Sequence, residues 1–482
     1  MERIPTEIFC TIFGLSITQD PHRDDNSEDS VDETDISEGR MWPSVFDFRK
    51  GPWSISRVCR KWRMICTCLP KLWSCFTFSA NDLDLNRDGK AALNAWLSFS
   101  GTSKLSILIE PDGICNVSHR IKLFEILAGH AERWERIELV NSTPNFWFML
   151  SFKSRLHSLK RVTFLSGCTS FDPDAVSSDS SHYRVFLDAP QFHTLINRDD
   201  FPLYKLPMPW SQLTEYEGSA RAHVADHFRV LRLTPNLVKC RLEIADADHS
   251  DESSFSSPLL LPKLQRLQIQ TPSFAEGLQQ LSSFIQLMKL PALQMLSIVS
   301  EHHTRVFPPF HAFAEVLRGS PCEVRQLELV LACQPDFQPR LQPEHILDLL
   351  KATPRLHHLC ITVGTTQGSR VLQDTILPRL LVGRGLEGAL LPMLNTLELK
   401  FPVPSAVHML DLSTLAAGIR SRWASIGSEA IRNLVITIEL SEGWIGDDSD
   451  MVSSACWPPI MEVLQEEGLN IVVHTTRNTC LF

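Results

Sequence analysis

The sequence predicts an α/β protein in which a small helical N-terminal unit precedes a solenoid with parallel strands inside and helices outside. Three observations support this fold class. A strand-like pattern recurs through the last four hundred residues, helix-like runs separate many of its copies, and large apolar residues at helical spacing crowd the first eighty. The chain has 482 residues, of which 43% are hydrophobic, enough for a substantial core.

The recurring pattern is an apolar residue, two spacers, a second apolar residue, one spacer and a third apolar residue. The last two apolar positions, as in Leu267-Gln268-Ile269, alternate like a strand with one buried face. A proline often precedes a copy and excludes helix there. Successive copies begin 21 to 38 residues apart. They begin at Trp134, Leu156, Phe192, Leu213, Leu237, Leu264, Leu293, Val324, Leu356, Leu394 and Ile431, with an additional copy at Lys104.

Helix-like runs lie between several copies, beginning at Gly277, Ala312, His345 and Ala406. One strand–helix unit cannot bury its apolar face alone, whereas a stack of units can. The array, residues 81–482, resembles a divergent leucine-rich-repeat solenoid, and we expect a final helix and strand at about 457–476 to cap it. The alternative is an ordinary α/β domain with leucine-rich strands.

The spacer between the last two apolar residues of each copy points away from the core. We expect these spacers to form one exposed stripe along the inner face. The stripe is mixed in charge, whereas a phosphate-binding surface is consistently basic, so it favours a protein or peptide target. The candidate target-binding residues are Glu138, Thr163, Arg241, Gln268, Ser297, Glu328, Cys360 and Glu398.

The first eighty residues predict two amphipathic helices. The first has Ile4, Ile8, Ile12 and Leu15 on one face, with Pro5 at the first helical position. The second has Val58, Trp62, Ile65 and Leu69 on one face, with a cap at Ser54 or Ser56 and an end at Pro70. Between the helices, residues 20–38 hold nine carboxylates and one arginine, a net charge of −8. That composition predicts a disordered acidic insert at about 18–42.

Three motifs in this order resemble an F-box, in the version abundant in mushroom-forming fungi, where Pro52-Trp53 precedes the second motif. They are Ile4-Pro5-x-Glu7-Ile8 with Ile12-Phe13, Val58-Cys59-Arg60-x-Trp62-Arg63, and Leu69-Pro70-x-Leu72-Trp73. The resemblance implies that residues 1–80 are a three-helix unit that docks a Skp-type adaptor and, through it, a cullin ubiquitin ligase. Carried over by position, the adaptor-facing residues are Ile4, Pro5, Ile8, Ile12, Val58, Cys59, Trp62 and Trp73.

Charge and cysteine usage narrow the remaining partner classes. The net charge is −10, and the insert carries −8 of it, so the other residues carry about −2 and give no case for nucleic acid or an anionic membrane. No apolar run is long enough for a membrane span. The thirteen cysteines are scattered, which favours reduced thiols in the cytoplasm or nucleus. Cys66 and Cys68 lack a second pair at metal-ligand spacing, so we expect neither metal nor cofactor.

Together these patterns predict a substrate-recruiting subunit of a ubiquitin ligase that performs no catalysis itself. One alternative is an interaction scaffold whose N-terminal unit no longer engages a ligase. A second is an enzyme in the C-terminal half, since catalytic groups assemble across a sequence without a motif. The one nucleotide-like motif, in residues 383–388, does not lie between a clear strand and a helix.

Overall fold

The computed structural model consists of two compact units, Met1–Leu213 and Thr214–Phe482, here called unit 1 and unit 2. Within each unit, successive strands pair in parallel in chain order, so the predicted α/β solenoid class is confirmed. None of the described helices is long and apolar enough to cross a bilayer. The structure describes residues 6–17, 42–79, 89–110, 117–140, 155–165, 186–198, 203–219, 223–244, 257–271, 275–304, 307–333, 342–364, 366–381, 390–401, 411–426, 431–441 and 459–478.

In unit 1, three helices come first, and two further helices then alternate with the first parallel strands. The helices are α1 Thr6–Ile17, α2 Gly51–Val58, α3 Arg60–Thr67, α4 Gly89–Phe99 and α5 Val117–Ala128, with short 3₁₀ turns at Pro70–Trp73, Ala131–Arg133, Leu203–Lys205 and Trp210–Gln212. The strands are β1 Cys75–Ser79, β2 Leu105–Glu110, β3 Trp134–Val140, β4 Arg161–Leu165 and β5 Thr194–Arg198.

Unit 2 alternates strands and helices more regularly. Its strands are β6 Glu215–Gly218, β7 Lys239–Glu243, β8 Leu259–Leu260, β9 Arg266–Gln270, β10 Met288–Lys289, β11 Met295–Thr304, β12 Gln326–Cys333, β13 His358–Val363, β14 Thr396–Phe401, β15 Asn433–Ser441 and β16 Asn470–Asn478; β8 and β10 form a separate pair. Its helices are α6 Val224–Leu233, α7 Ala275–Gln286, α8 Phe310–Gly319, α9 Pro343–Lys351, α10 Thr366–Val371, α11 Leu377–Leu381, α12 Leu412–Ile426 and α13 Pro459–Glu466, with a π-helical turn at Leu372–Ile376 between α10 and α11.

Every predicted copy of the repeat contains a described strand, and within each unit neighbouring copies pair in register. The second apolar residue of one copy lies beside the second apolar residue of the next, because a slip of one residue would turn the apolar set to the opposite face. One core row in unit 2 consists of Leu267, Leu296, Leu327, Leu359, Leu397 and Leu434, all buried. The final helix and strand expected near 457–476 correspond to α13 and β16.

Residues 42–79 supply more than the helices expected of them. Strand β1 pairs residue for residue with β2. The chain ahead of α2 extends the same sheet, because Val45 donates its N–H to Thr77 O over 3.1 Å and Thr77 donates to Pro43 O over 3.1 Å. The boundary at residue 80 stays a prediction, but the chain before it already contributes a strand to the parallel sheet.

The single helix expected over the second N-terminal segment is wrong, because Cys59 breaks it into α2 and α3. Cys59 has an extended backbone, with φ −159° and ψ 171°, and its Sγ accepts the N–H of Trp62 over 3.4 Å. The cap expected at Ser54 or Ser56 is also wrong, because α2 begins at Gly51 and both hydroxyls donate to carbonyls one turn back. The cysteine therefore acts as the N-cap that ends one helix and starts the next.

Candidate functional site

The packing of α1 on α3 depends on Trp62. Its ring meets Phe9 and Phe13 edge to face, with centroids 5.8 Å and 5.0 Å away. Both phenylalanines are buried and Trp62 is half-buried. Edge-to-face contacts of this kind add to the stabilisation from buried area. The F-box resemblance assigned Trp62 to the adaptor, but part of its ring surface is therefore already buried where α1 packs on α3.

Four large apolar side chains of these helices remain exposed. Ile8 and Ile12 are 50% and 49% exposed, Val58 is 55% exposed and Met64 is 61% exposed. Ile8 and Ile12 lie one turn apart on the same face of α1, to one side of Phe9 and Phe13. We call Ile8, Ile12, Val58 and Met64 the docking residues. Exposed apolar groups on several elements of one small unit are typical of a protein interaction site.

The other predicted adaptor-facing residues differ from one another in their exposure. Cys59 is exposed. The assignment of Trp73 to an adaptor surface is wrong, because Trp73 is fully buried and its indole N–H donates to Cys66 O over 3.0 Å. The turn that starts at Pro70 directs the ring into the core of unit 1. Ile4 and Pro5 lie outside the described residues.

Met64 is a docking residue that the sequence patterns missed. It follows Arg60 by one helical turn and lies off the face shared by Trp62 and Ile65, on an otherwise cationic side of α3. The sequence feature that could have identified Met64 is a large apolar residue among exposed arginines. Cys66, on the buried side, is not a reactive thiol, because burial raises its pKa to about 11.

On the inner face, the strand register places the predicted target-binding residues side by side within each unit. Glu138 lies beside Thr163 in unit 1. In unit 2 a continuous row crosses β7 to β14, and we call it the inner row. It consists of Arg241, Gln268, Ser297, Glu328, Cys360 and Glu398.

The prediction that the eight candidate target-binding residues are exposed is wrong for five of them. Glu138, Thr163, Ser297, Glu328 and Cys360 are buried, and the other three are half-buried. Neighbouring strands lie about 4.8 Å apart, so adjacent members of a row cover one another. Polar contacts close the face further: Arg136 pairs with Glu138 over 2.7 Å, and Ser297 donates to Glu328 over 2.7 Å.

The half-buried members of the inner row lie at its two ends, with Arg241 and Gln268 at one end and Glu398 at the other. His358 Nε2 is 3.2 Å from Glu398 Oε2, and Lys400 Nζ is 3.8 Å from Glu398 Oε1. The hydrogen bond from His358 is the main reason that the pKa of Glu398 lies below its ordinary value. The arrangement presents an ionised carboxylate between two nitrogen donors, which suits polar recognition of a protein chain.

A second polar row, formed by Thr396, Asn433 and Asn470 on β14, β15 and β16, was not predicted. Asn470 Nδ2 donates to Asn433 Oδ1 over 3.2 Å, and Asn433 Nδ2 donates to Thr396 Oγ1 over 3.3 Å. The only signal for it in the sequence is a polar residue at the same offset in successive copies. This ladder widens the polar inner face of unit 2 beyond the inner row.

No family model and no curated protein sequence matches the chain. Solved structures do align with it, and three of them show how low the similarity is. A Bacteroides fragilis protein is 14% identical, with 66% of this chain and 65% of that chain covered and a TM-score of 0.28. The leucine-rich repeat-containing protein LegL7 from Legionella pneumophila is 10% identical, with 76% and 83% covered and a TM-score of 0.29. A TLR13–ssRNA13 complex is 13% identical, with 70% and 45% covered and a TM-score of 0.31.

The chain spans slightly less than two thirds of the Bacteroides fragilis protein and less than half of the TLR13 chain. Superpositions of this quality assign neither a family nor an activity. The repeat fold rests on the parallel pairing and the common register of the strands themselves.

Proposed function

We propose that the chain is a substrate-recruiting subunit of a Skp–cullin–F-box ubiquitin ligase. In this proposal α1, α2 and α3 dock a Skp-type adaptor, and the inner face of the repeats binds a target protein. The observation that carries the proposal is the exposure of Ile8, Ile12 and Val58 on helices that precede the strand array. Both isoleucines and Val58 belong to the motifs that resemble an F-box.

The exposed area is sufficient to contribute to binding. Full burial of an isoleucine or valine is worth about 1.5–3 kcal/mol, so burying the exposed half of one contributes roughly 1 kcal/mol. Several such side chains around one contact resemble the few residues that dominate most protein interfaces.

The proposed mechanism is proximity without chemistry in this chain. A target held on the repeats is brought near the catalytic end of the ligase, which raises the effective concentration of its lysines there. The proposed location is the cytoplasm or nucleus.

The test uses the full-length chain, because Trp73 packs against Trp96, beyond the predicted boundary at residue 80. A recombinant Skp-type adaptor is titrated against the wild type, against Ile8→Asp with Ile12→Asp, and against a control with Leu233→Asp and Leu260→Asp. The control leucines are also exposed, by 41% and 60%. We expect the isoleucine variant to lose adaptor binding and the leucine control to keep it.

Equal adaptor binding by the two variants contradicts the docking assignment. Correct folding of the wild type without any adaptor binding leaves the interaction-scaffold alternative in its place.

The target side is tested separately by affinity purification with mass spectrometry. Arg241→Ala with Gln268→Ala changes two half-buried members of the inner row and leaves the N-terminal helices intact. We expect this variant to keep the adaptor and lose one or more specific target proteins. Unchanged recovery of every protein argues against target binding at this face.

A further inference from the structure

Positive charge is concentrated around the docking residues. Residues 42–79 contain seven lysines and arginines and one aspartate, a net charge of +6 in a chain whose net charge is −10. Four of these cations lie on α2 and α3, and we call Arg57, Arg60, Lys61 and Arg63 the cationic cluster.

None of the four cations of the cationic cluster has a carboxylate partner among the described residues. Several cations elsewhere in the described residues do have one: Lys160 pairs with Glu135 over 2.6 Å, Lys239 with Glu215 over 2.8 Å and Arg420 with Glu467 over 3.1 Å. In residues 42–79 the one ion pair is Arg49 with Asp47, outside the cluster. Like charges that crowd two eight-residue helices repel one another, so this arrangement favours a partner that supplies carboxylates.

The cluster surrounds apolar surface. On α3, Met64 lies one turn from both Arg60 and Lys61, and Val58 follows Arg57 directly. Internal contacts hold several of the cationic side chains in place. Lys61 Nζ lies 5.4 Å from the centroid of the Phe9 ring, and Arg63 Nε donates to Ser56 O over 3.0 Å.

We propose that the docking residues and the cationic cluster form one interaction surface, whose partner is a protein with an apolar centre and a carboxylate-rich rim. This inference rests on the proposed adaptor-docking function and specifies the chemistry of the adaptor face. Opposite charges at the rim of an interface accelerate association and have less effect on dissociation.

A protein partner fits this surface better than a nucleic acid. Single-stranded nucleic acids stack their bases on exposed aromatic rings. Here Trp62 is packed by Phe9 and Phe13, the Phe48 ring beside Arg57 is half-buried, and the exposed apolar residues are aliphatic or methionine.

The test measures association and dissociation rates of the full-length chain with a recombinant Skp-type adaptor, at about 50 mM and about 500 mM salt. Arg57→Gln with Arg60→Gln is compared with a control, Lys263→Gln with Lys351→Gln, which removes the same charge from exposed sites in unit 2. At low salt we expect the cluster variant to associate roughly three- to tenfold more slowly than the control, with dissociation changed less than about twofold. At high salt the difference should disappear, and Arg57→Lys with Arg60→Lys should restore the rate.

Equal rates for the cluster variant and the control, with binding still abolished by Ile8→Asp and Ile12→Asp, overturn the inference and leave the docking function standing. Failure of the wild type to bind the adaptor at either salt concentration overturns both. Binding of a short single-stranded DNA or RNA that depends on Arg57 and Arg60 overturns the assignment to an acidic protein.

Discussion

The indole N–H of Trp96 donates a hydrogen bond to the backbone carbonyl of Trp73 over 2.8 Å, and the two rings meet at 79° with centroids 5.0 Å apart. Trp53, on α2, contacts both rings. Trp96 belongs to α4, which leads into β2. The docking helices of unit 1 therefore share an aromatic core with the first repeats.

The first prediction concerns this aromatic core. Trp96→Phe leaves the buried carbonyl of Trp73 without its donor, so we expect a loss of about 1–3 kcal/mol in unfolding free energy. Trp53→Phe removes a hydrogen bond to Val45 O at a half-buried ring and should cost less. Urea unfolding followed by tryptophan fluorescence and circular dichroism measures both. A larger loss for Trp53→Phe would contradict the importance assigned to the Trp73–Trp96 pair.

The second prediction concerns Gly218 in β6. A Cβ atom there would lie 2.3 Å from His227 Cε1 and 2.6 Å from His227 Nδ1. Because His227 is buried, a shift of its ring disturbs the surrounding packing, and we expect Gly218→Ala to cost about 1–3 kcal/mol. The control is Gly319→Ala, where the nearest atom is Lys289 Nζ at 3.6 Å. Thermal unfolding measures both, and equal melting temperatures for the two variants would refute the close-approach argument.

The third prediction is a pH dependence of unit 2. Burial lowers the pKa of His227 to about 4, while its Nε2 lies 3.1 Å from Glu243 O and its Nδ1 lies 3.4 Å from the Tyr216 hydroxyl. A histidine in the unfolded chain has a pKa near 6.5. Between about pH 6.5 and pH 4, His227 is therefore protonated in the unfolded state and neutral in the folded state. The free energy of unfolding is therefore unaffected by this group above about pH 6.5 and falls as the pH drops towards 4, by roughly 3 kcal/mol in total.

The measurement compares urea midpoints of the wild type and His227→Gln from pH 7 to pH 4. The variant should be less stable at pH 7, and the gap should narrow as the pH falls, because glutamine does not titrate. Parallel curves for the two proteins would show that His227 contributes nothing to the pH dependence.

The fourth prediction concerns Arg422, a buried cation on α12. Its guanidinium donates to the carbonyl oxygens of Leu380, Leu390 and Leu391, with 2.9 Å to Leu390, and burial lowers its pKa to about 10. Lysine cannot reproduce this fork, so Arg422→Lys should cost about 2–4 kcal/mol. The control, Arg420→Gln, removes an exposed ion pair with Glu467 and should cost less than about 1 kcal/mol. Chemical denaturation measures both, and a similar loss for both variants would contradict the prediction.

The sequence alone determined the repeat fold, because local patterns carry it. An alternation such as Leu267-Gln268-Ile269 has one strand register that buries its apolar side chains, and repetition of that pattern aligns the strands. The inner row follows from the same register, which puts Ser297, Glu328 and Cys360 side by side on neighbouring strands. Helical spacing likewise placed Ile8 and Ile12 on one face of the first helix.

Only the tertiary structure decided which of these residues meet solvent. Trp62 and Trp73 carry the same side chain, yet one is half-buried and the other fully buried, because the turn at Pro70 and the ring of Trp96 enclose Trp73. The burial of Glu138 likewise depends on the neighbouring strand, which is distant along the chain. The break at Cys59 depends on the extended backbone of that one residue. Periodicity assigns a side chain to a face, but its exposure depends on what packs against that face, and that information is not local.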